Sequence, residues 1–94
     1  MVVGILQMRI LVRDAMSLKD KRRVVRSLRD RIRNDFNVSV SEVDALDLRQ
    51  TAILGVALAT NDRVFADQVL AKVVDAVRRS AGGAELVDYE VEIL

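Results

Sequence analysis

The sequence predicts an α+β fold in which four strands and two helices follow one another in the order β-α-β-β-α-β. Three observations support this prediction. Segments with a two-residue apolar period open and close the chain, two segments with a helical apolar period lie between strands, and Gly, Asn or Asp residues stand at the junctions. The chain has 94 residues, which fits a single domain over residues 1–94.

The first strand is predicted over residues 2–13. Its even positions are apolar throughout, with a glycine at position 4, whereas its odd positions mix apolar side chains with Gln7, Arg9 and Arg13. One dry face and one mixed face are typical of a sheet that is covered on one side only.

Three further strands are predicted over residues 38–45, 51–60 and 85–93. The apolar phase of the second strand shifts between Val40 and Val43, which indicates a bulge. The third is strongly apolar, as a central strand should be. In the fourth, Val87, Tyr89 and their odd-numbered neighbours are predicted to form the dry face, so that Tyr89 is a packing residue.

The first helix is predicted to run from Leu18 to Phe36. Ser17 is its N-cap, and Asp20 completes a capping box. The second helix follows the capping residues at 60–62 and ends before Gly82-Gly83. The residues predicted to be buried together are Val25, Leu28, Ile32, Leu70, Val73 and Val77.

This element order predicts a ferredoxin-like sandwich, a four-stranded antiparallel sheet with two helices on one face. The other sheet face is left open. Because Val3, Ile5 and Leu11 alternate there with charged residues, the open face is more apolar than a small monomer usually exposes. We therefore expect a homodimer, with an interface that includes Val3, Ile5, Arg9, Leu11 and Arg13.

Histidine and cysteine are absent from the sequence. Zinc, iron–sulfur and haem sites, and catalysis by imidazole or thiolate, are therefore not expected. The acidic group Glu42, Asp44 and Asp47 has no nucleophile nearby and is interpreted as turn chemistry. We predict a protein that is not an enzyme, with no catalytic residue, metal site or cofactor. The lack of cysteine, of a signal-peptide pattern and of a long apolar run favours a cytoplasmic location.

Charge is distributed unevenly along a chain of net charge +1. Residues 19–33 contain eight basic residues against two aspartates, which gives +6 for this segment. Helical periodicity places four of the arginines in one column. The predicted RNA-binding residues are Lys19, Lys21, Arg22, Arg23, Arg26, Arg29 and Arg33. Arginine suits phosphate recognition, but the same pattern also fits a solvated helix face paired with neighbouring carboxylates, or another anionic partner.

Several segments resemble the YlxP-like family of small bacterial proteins. They are Ser17 to Arg23 (SLKDKRR), Phe36 to Val40 with Glu42 to Asp44, Leu54 to Ala57, and Asp88 to Val91. The resemblance implies a ferredoxin-like domain whose genes often lie among those for translation initiation and ribosome maturation. It implies no catalytic residues.

From the residues and this resemblance we expect a non-enzymatic binding protein that contacts RNA or a ribosomal particle through its first helix. The alternative is a homodimeric regulatory or small-molecule-binding module that uses the open sheet face.

Overall fold

A computed structural model of the chain describes residues 1–80 and 82–94. It confirms the ferredoxin-like α+β fold and the predicted element order. The four strands form one antiparallel sheet in the order β2-β3-β1-β4. The elements are β1 (Val2–Leu11), α1 (Leu18–Asp35), β2 (Ser39–Asp44), β3 (Thr51–Thr60), α2 (Arg63–Arg78) and β4 (Glu85–Ile93).

The helices begin where their capping residues stand. Ser17 Oγ accepts a hydrogen bond from the Asp20 amide at 3.1 Å, and Asp20 Oδ2 accepts one from the Met16 amide at 3.0 Å. The predicted capping box is therefore confirmed, although its carboxylate reaches the residue before the N-cap. Asp62 caps α2 by accepting from the amides of Val64 and Phe65.

One hydrophobic core lies between the sheet and the two helices. All six residues that were predicted to be buried together belong to it. Gly4 of β1 permits the close approach of α2, because a Cβ there would lie 3.1 Å from both Leu58 Cδ2 and Leu70 Cδ1. The absence of a side chain at this position thus sets the distance between α2 and the sheet.

The bulge predicted in the second strand is confirmed. Glu42 pairs with Leu54 and Asp44 pairs with Ile53, so Val43 is the additional residue. Its side chain lies over Gly55 on the open face, where a Cβ on Gly55 would come within 2.8 Å of Val43 Cγ1.

The predicted dry face of the fourth strand requires correction. A second register shift pairs Ile10 with Leu86, and Val87 is 53% exposed. Tyr89 lies opposite Met8 but remains 40% exposed, and the Arg78 guanidinium stands 5.3 Å from its ring centroid. The prediction is wrong for Val87, which the register shift leaves unpaired. Tyr89, Val91 and Ile93 do lie on the covered side, opposite Met8, Leu6 and Gly4, but Tyr89 and Val91 stay exposed because β4 is an edge strand that α2 covers only in part.

None of the helices in residues 1–80 and 82–94 combines the length and the apolar character that crossing a bilayer requires.

Candidate nucleic-acid interface

Helix α1 lies over the edge of the sheet formed by β2 and β3, whereas α2 packs mainly on β1 and β4. Its buried stripe consists of Val25, Leu28 and Ile32, together with Lys21. At 100° per residue, the arginine column is displaced by about 100° from this stripe. The column therefore runs along the flank of α1. Its four members are Arg22, Arg26, Arg29 and Arg33.

We call the basic residues on this side of α1 the basic flank: Lys19, Arg22, Arg23, Arg26, Arg29 and Arg33. Arg31 is also exposed but lies on the opposite side of the helix. Five of the six flank residues are exposed, and the side chain of Arg29 retains 34% of its accessible surface. Arg33 Nη2 donates to the carbonyl oxygen of Val40 at 3.2 Å. Because β2 has a single neighbouring strand, this bond joins the basic flank to the free edge of the sheet.

Carboxylates neutralise little of the basic flank. Arg29 Nη2 lies 3.4 Å from Asp30 Oδ1, a contact between adjacent residues. Across residues 1–80 and 82–94, no other member of the flank forms an ion pair. The alternative interpretation of this helix is that its basic side chains pair with neighbouring carboxylates. In the described residues, only Arg29 among the six does so.

The prediction that Lys21 belongs to an RNA-binding surface is wrong. Its side chain is completely buried, and Nζ donates to the carbonyl oxygens of Ala45 at 2.9 Å, Thr51 at 3.1 Å and Leu46 at 3.4 Å. Glu42 Oε2 lies 2.9 Å from the same nitrogen, at an angle outside hydrogen-bond geometry, so this attraction is mainly coulombic. The ammonium group has no room for a phosphate.

The burial of Lys21 has a signal in the sequence. Val25, Leu28 and Ile32 follow it at i+4, i+7 and i+11, so Lys21 stands on the apolar stripe itself. Two of its acceptors come from the loop between β2 and β3, where Ala45 has a positive φ of 59°, and the third is Thr51 at the start of β3. This loop closes around the ammonium group.

Two matches to known proteins show which family this chain belongs to. Residues 3–91 match the model of a family described as "Protein of unknown function (DUF503)". The chain belongs to the DUF503 family. It is 34% identical over 73 residues to "Uncharacterized protein YlxP" of Bacillus subtilis (strain 168), a match that covers 78% of this chain and 79% of that protein. The YlxP-like resemblance is thereby confirmed.

In this DUF503 chain, the acidic residues Glu42 and Asp44 make separate structural contacts. Glu42 faces Lys21, and Asp44 Oδ1 accepts from the amide of Ala45 at 2.8 Å. Among the residues that the structure describes, no three acidic side chains come together in a way that could hold a metal ion.

The open sheet face of the DUF503 chain contains four of the five predicted interface residues. Val3, Ile5 and Leu11 are half-buried there and Arg9 is exposed, and Asp88 lies opposite Arg9 in the register. Arg13 is the exception, because β1 ends at Leu11. Its Nε donates to Glu85 Oε2 at 2.8 Å, and this hydrogen bond, reinforced by the carboxylate charge, raises the pKa of the guanidinium.

Proposed function

We propose that this protein binds the phosphate backbone of structured RNA through the basic flank of α1. The observation that supports the proposal is the run of six basic side chains along one helix flank, of which only Arg29 has a carboxylate partner in the described part of the chain. A guanidinium group offers five donors in a planar arrangement that matches phosphate oxygens.

The dimensions of the flank suit a nucleic-acid backbone. From Arg22 to Arg33 the column extends over about 17 Å of helix, at 1.5 Å per residue. Since Arg22, Arg26 and Arg33 are exposed, and Arg33 reaches the edge of β2, a rigid duplex could lie along the helix without meeting the core. Shape and charge would then determine the recognition.

Base stacking does not contribute to this proposal. Phe36 is partly buried against the core, Phe65 belongs to the first turn of α2, and Tyr89 lies on β4 beneath Arg78. The basic flank therefore contains no aromatic platform, which disfavours recognition of unstacked single strands. The family resemblance, with its expected neighbourhood of translation genes, favours RNA over DNA and agrees with a non-enzymatic cytoplasmic role.

Fluorescence anisotropy with duplex-containing ribosomal RNA fragments at several salt concentrations tests the proposal. The log–log slope of affinity against salt should be about −0.7 to −0.9 for each phosphate contacted. Arg22→Glu combined with Arg26→Glu should weaken binding at least tenfold and reduce the magnitude of the slope by about 1–2.

The matched control is Arg49→Glu combined with Lys72→Glu, which changes the net charge equally at exposed positions outside α1. It should retain most of the affinity. No binding of the unaltered protein at low salt, or equal losses in the two double variants, would contradict a site on the basic flank.

A further inference from the structure

The open sheet face has a ridge and a trough side by side. Val3 and Ile5 project from β1, whereas the neighbouring positions of β3 are Ala59 and Ala57, which pair with them directly. The trough ends at Gly55, which the side chain of Val43 covers. Because a ridge on β1 lies beside a trough on β3, the face is complementary in shape to the same face of a second copy rotated by 180°.

Charge on the same face is also arranged in rows. β4 presents Asp88, Glu90 and Glu92 along one edge, opposite Arg9, Gln7 and Ile5 in the register. The other edge is formed by β2, where Ser39 and Ser41 lie in a groove that the Arg33 side chain also lines. One edge of the face is therefore acidic, and the other has hydroxyl groups and a guanidinium.

We infer that this face binds a second copy of the chain through a two-fold axis parallel to the strands. This rotation places the β1 ridge of each copy on the β3 trough of the other. It also places Glu90 and Glu92 of each copy over the edge that contains Ser39, Ser41 and Arg33. Both contacts are made twice, as an isologous interface requires.

The alternative two-fold axis also lies in the plane of the interface but runs perpendicular to the strands, and it is disfavoured. It would superpose β4 on β4 and bring the two acidic rows together, which costs energy by like-charge repulsion. Charge therefore selects one orientation among those that the flat face would allow.

The size of the face is adequate for such a dimer. Four strands about 4.8 Å apart, rising about 3.3 Å per residue, form a surface of roughly 30 Å by 19 Å. Side-chain relief increases this area towards the ~800 Å² per partner of a standard interface. Half-buried Ile5, Leu11 and Ile53 supply apolar area, with exposed Gln7 and Arg9 between Ile5 and Leu11 on β1.

Multi-angle light scattering at increasing protein concentration provides the test. The expected mass is twice the 10.5 kDa of the chain. Ala57→Glu should yield a folded monomer, because it places a carboxylate in the trough. Ala71→Glu is the matched control on the exposed side of α2 and should remain a dimer.

A charge exchange tests the orientation. Arg33→Glu alone, and Glu90→Arg with Glu92→Arg, should each weaken the dimer at least tenfold, and the combined triple variant should recover it. Circular dichroism checks that each variant is folded. A monomeric unaltered protein, an Ala57→Glu dimer or a triple variant that stays dissociated would overturn the inference. Because the readout is mass, its failure leaves the RNA proposal untouched.

Discussion

At the scale of single residues, Lys21 connects parts of the chain that are far apart in sequence. Its ammonium group on α1 binds three carbonyl oxygens of the loop and strand that follow β2, and it faces the carboxylate of Glu42. A buried cation is tolerated when it is paired and fully hydrogen-bonded. These contacts supply both conditions.

Lys21→Met should therefore lower the free energy of unfolding by about 2–4 kcal/mol, because it leaves Glu42 charged and nearly buried without its partner. Lys19→Met, an exposed position on the same helix, should change it by no more than about 0.5 kcal/mol. Urea denaturation measures both. Glu42→Gln added to Lys21→Met should regain part of the loss, and equal stabilities of the two single variants would refute the structural role.

The burial of Lys21 also shows what could not be predicted from the sequence. Spacing alone places this residue on the apolar stripe, but its charge and its basic neighbours favour the surface. The decision depends on Ala45, Leu46 and Thr51, whose carbonyl groups converge through tertiary structure. Within residues 1–80 and 82–94, Arg22 and Arg26 have no such acceptors and are exposed, so for them the surface assignment from the sequence agrees with the structure.

At the scale of elements, the packing of α2 on β1 depends on Gly4. Gly4→Ala should destabilise the fold by about 1–3 kcal/mol, because the new methyl group meets Leu58 and Leu70 at 3.1 Å. Leu70→Val removes one of the opposing methyl groups. A double-mutant cycle by urea denaturation should then give a favourable coupling between the two substitutions. Strictly additive effects would show that α2 adjusts without strain.

The elements themselves could be predicted because their apolar periods are regular. The bulge in β2 was also detectable, since the phase change between Val40 and Val43 interrupts the alternation. The bulge in β4 has a similar signal, which the prediction of one regular strand passed over: Leu86 and Val87 are adjacent apolar residues in an otherwise alternating segment, and the register shift lies there. How far α2 covers an edge strand, in contrast, depends on helix placement, which no local pattern specifies.

At the scale of the whole molecule, the net charge is only +1, but basic and acidic side chains are concentrated on different parts of the surface. The basic flank of α1 lies beside β2, and the acidic row of β4 lies at the opposite edge of the sheet. Such an arrangement can orient an approaching polyanion, and it can also align two copies of the chain. The two proposed surfaces thus follow from one distribution of charge.

If two copies associate as inferred, thermal stability should depend on protein concentration, because association stabilises the folded state by mass action. The Tm of the unaltered protein should rise over a hundredfold concentration series, whereas that of Ala57→Glu should remain constant. Differential scanning calorimetry measures both. A constant Tm for the unaltered protein over the whole concentration series would contradict the association.

The bond from Arg33 to Val40 has a consequence for aggregation. An edge strand with free amide and carbonyl groups is a template onto which another chain can add, and this route leads to amyloid-like stacking. Here β2 is six residues long, is bulged and has a guanidinium on one of its carbonyls, while β4 has a bulge and four acidic side chains. Both borders of the sheet therefore resist uncontrolled polymerisation, which allows an open apolar face to persist without leading to fibres.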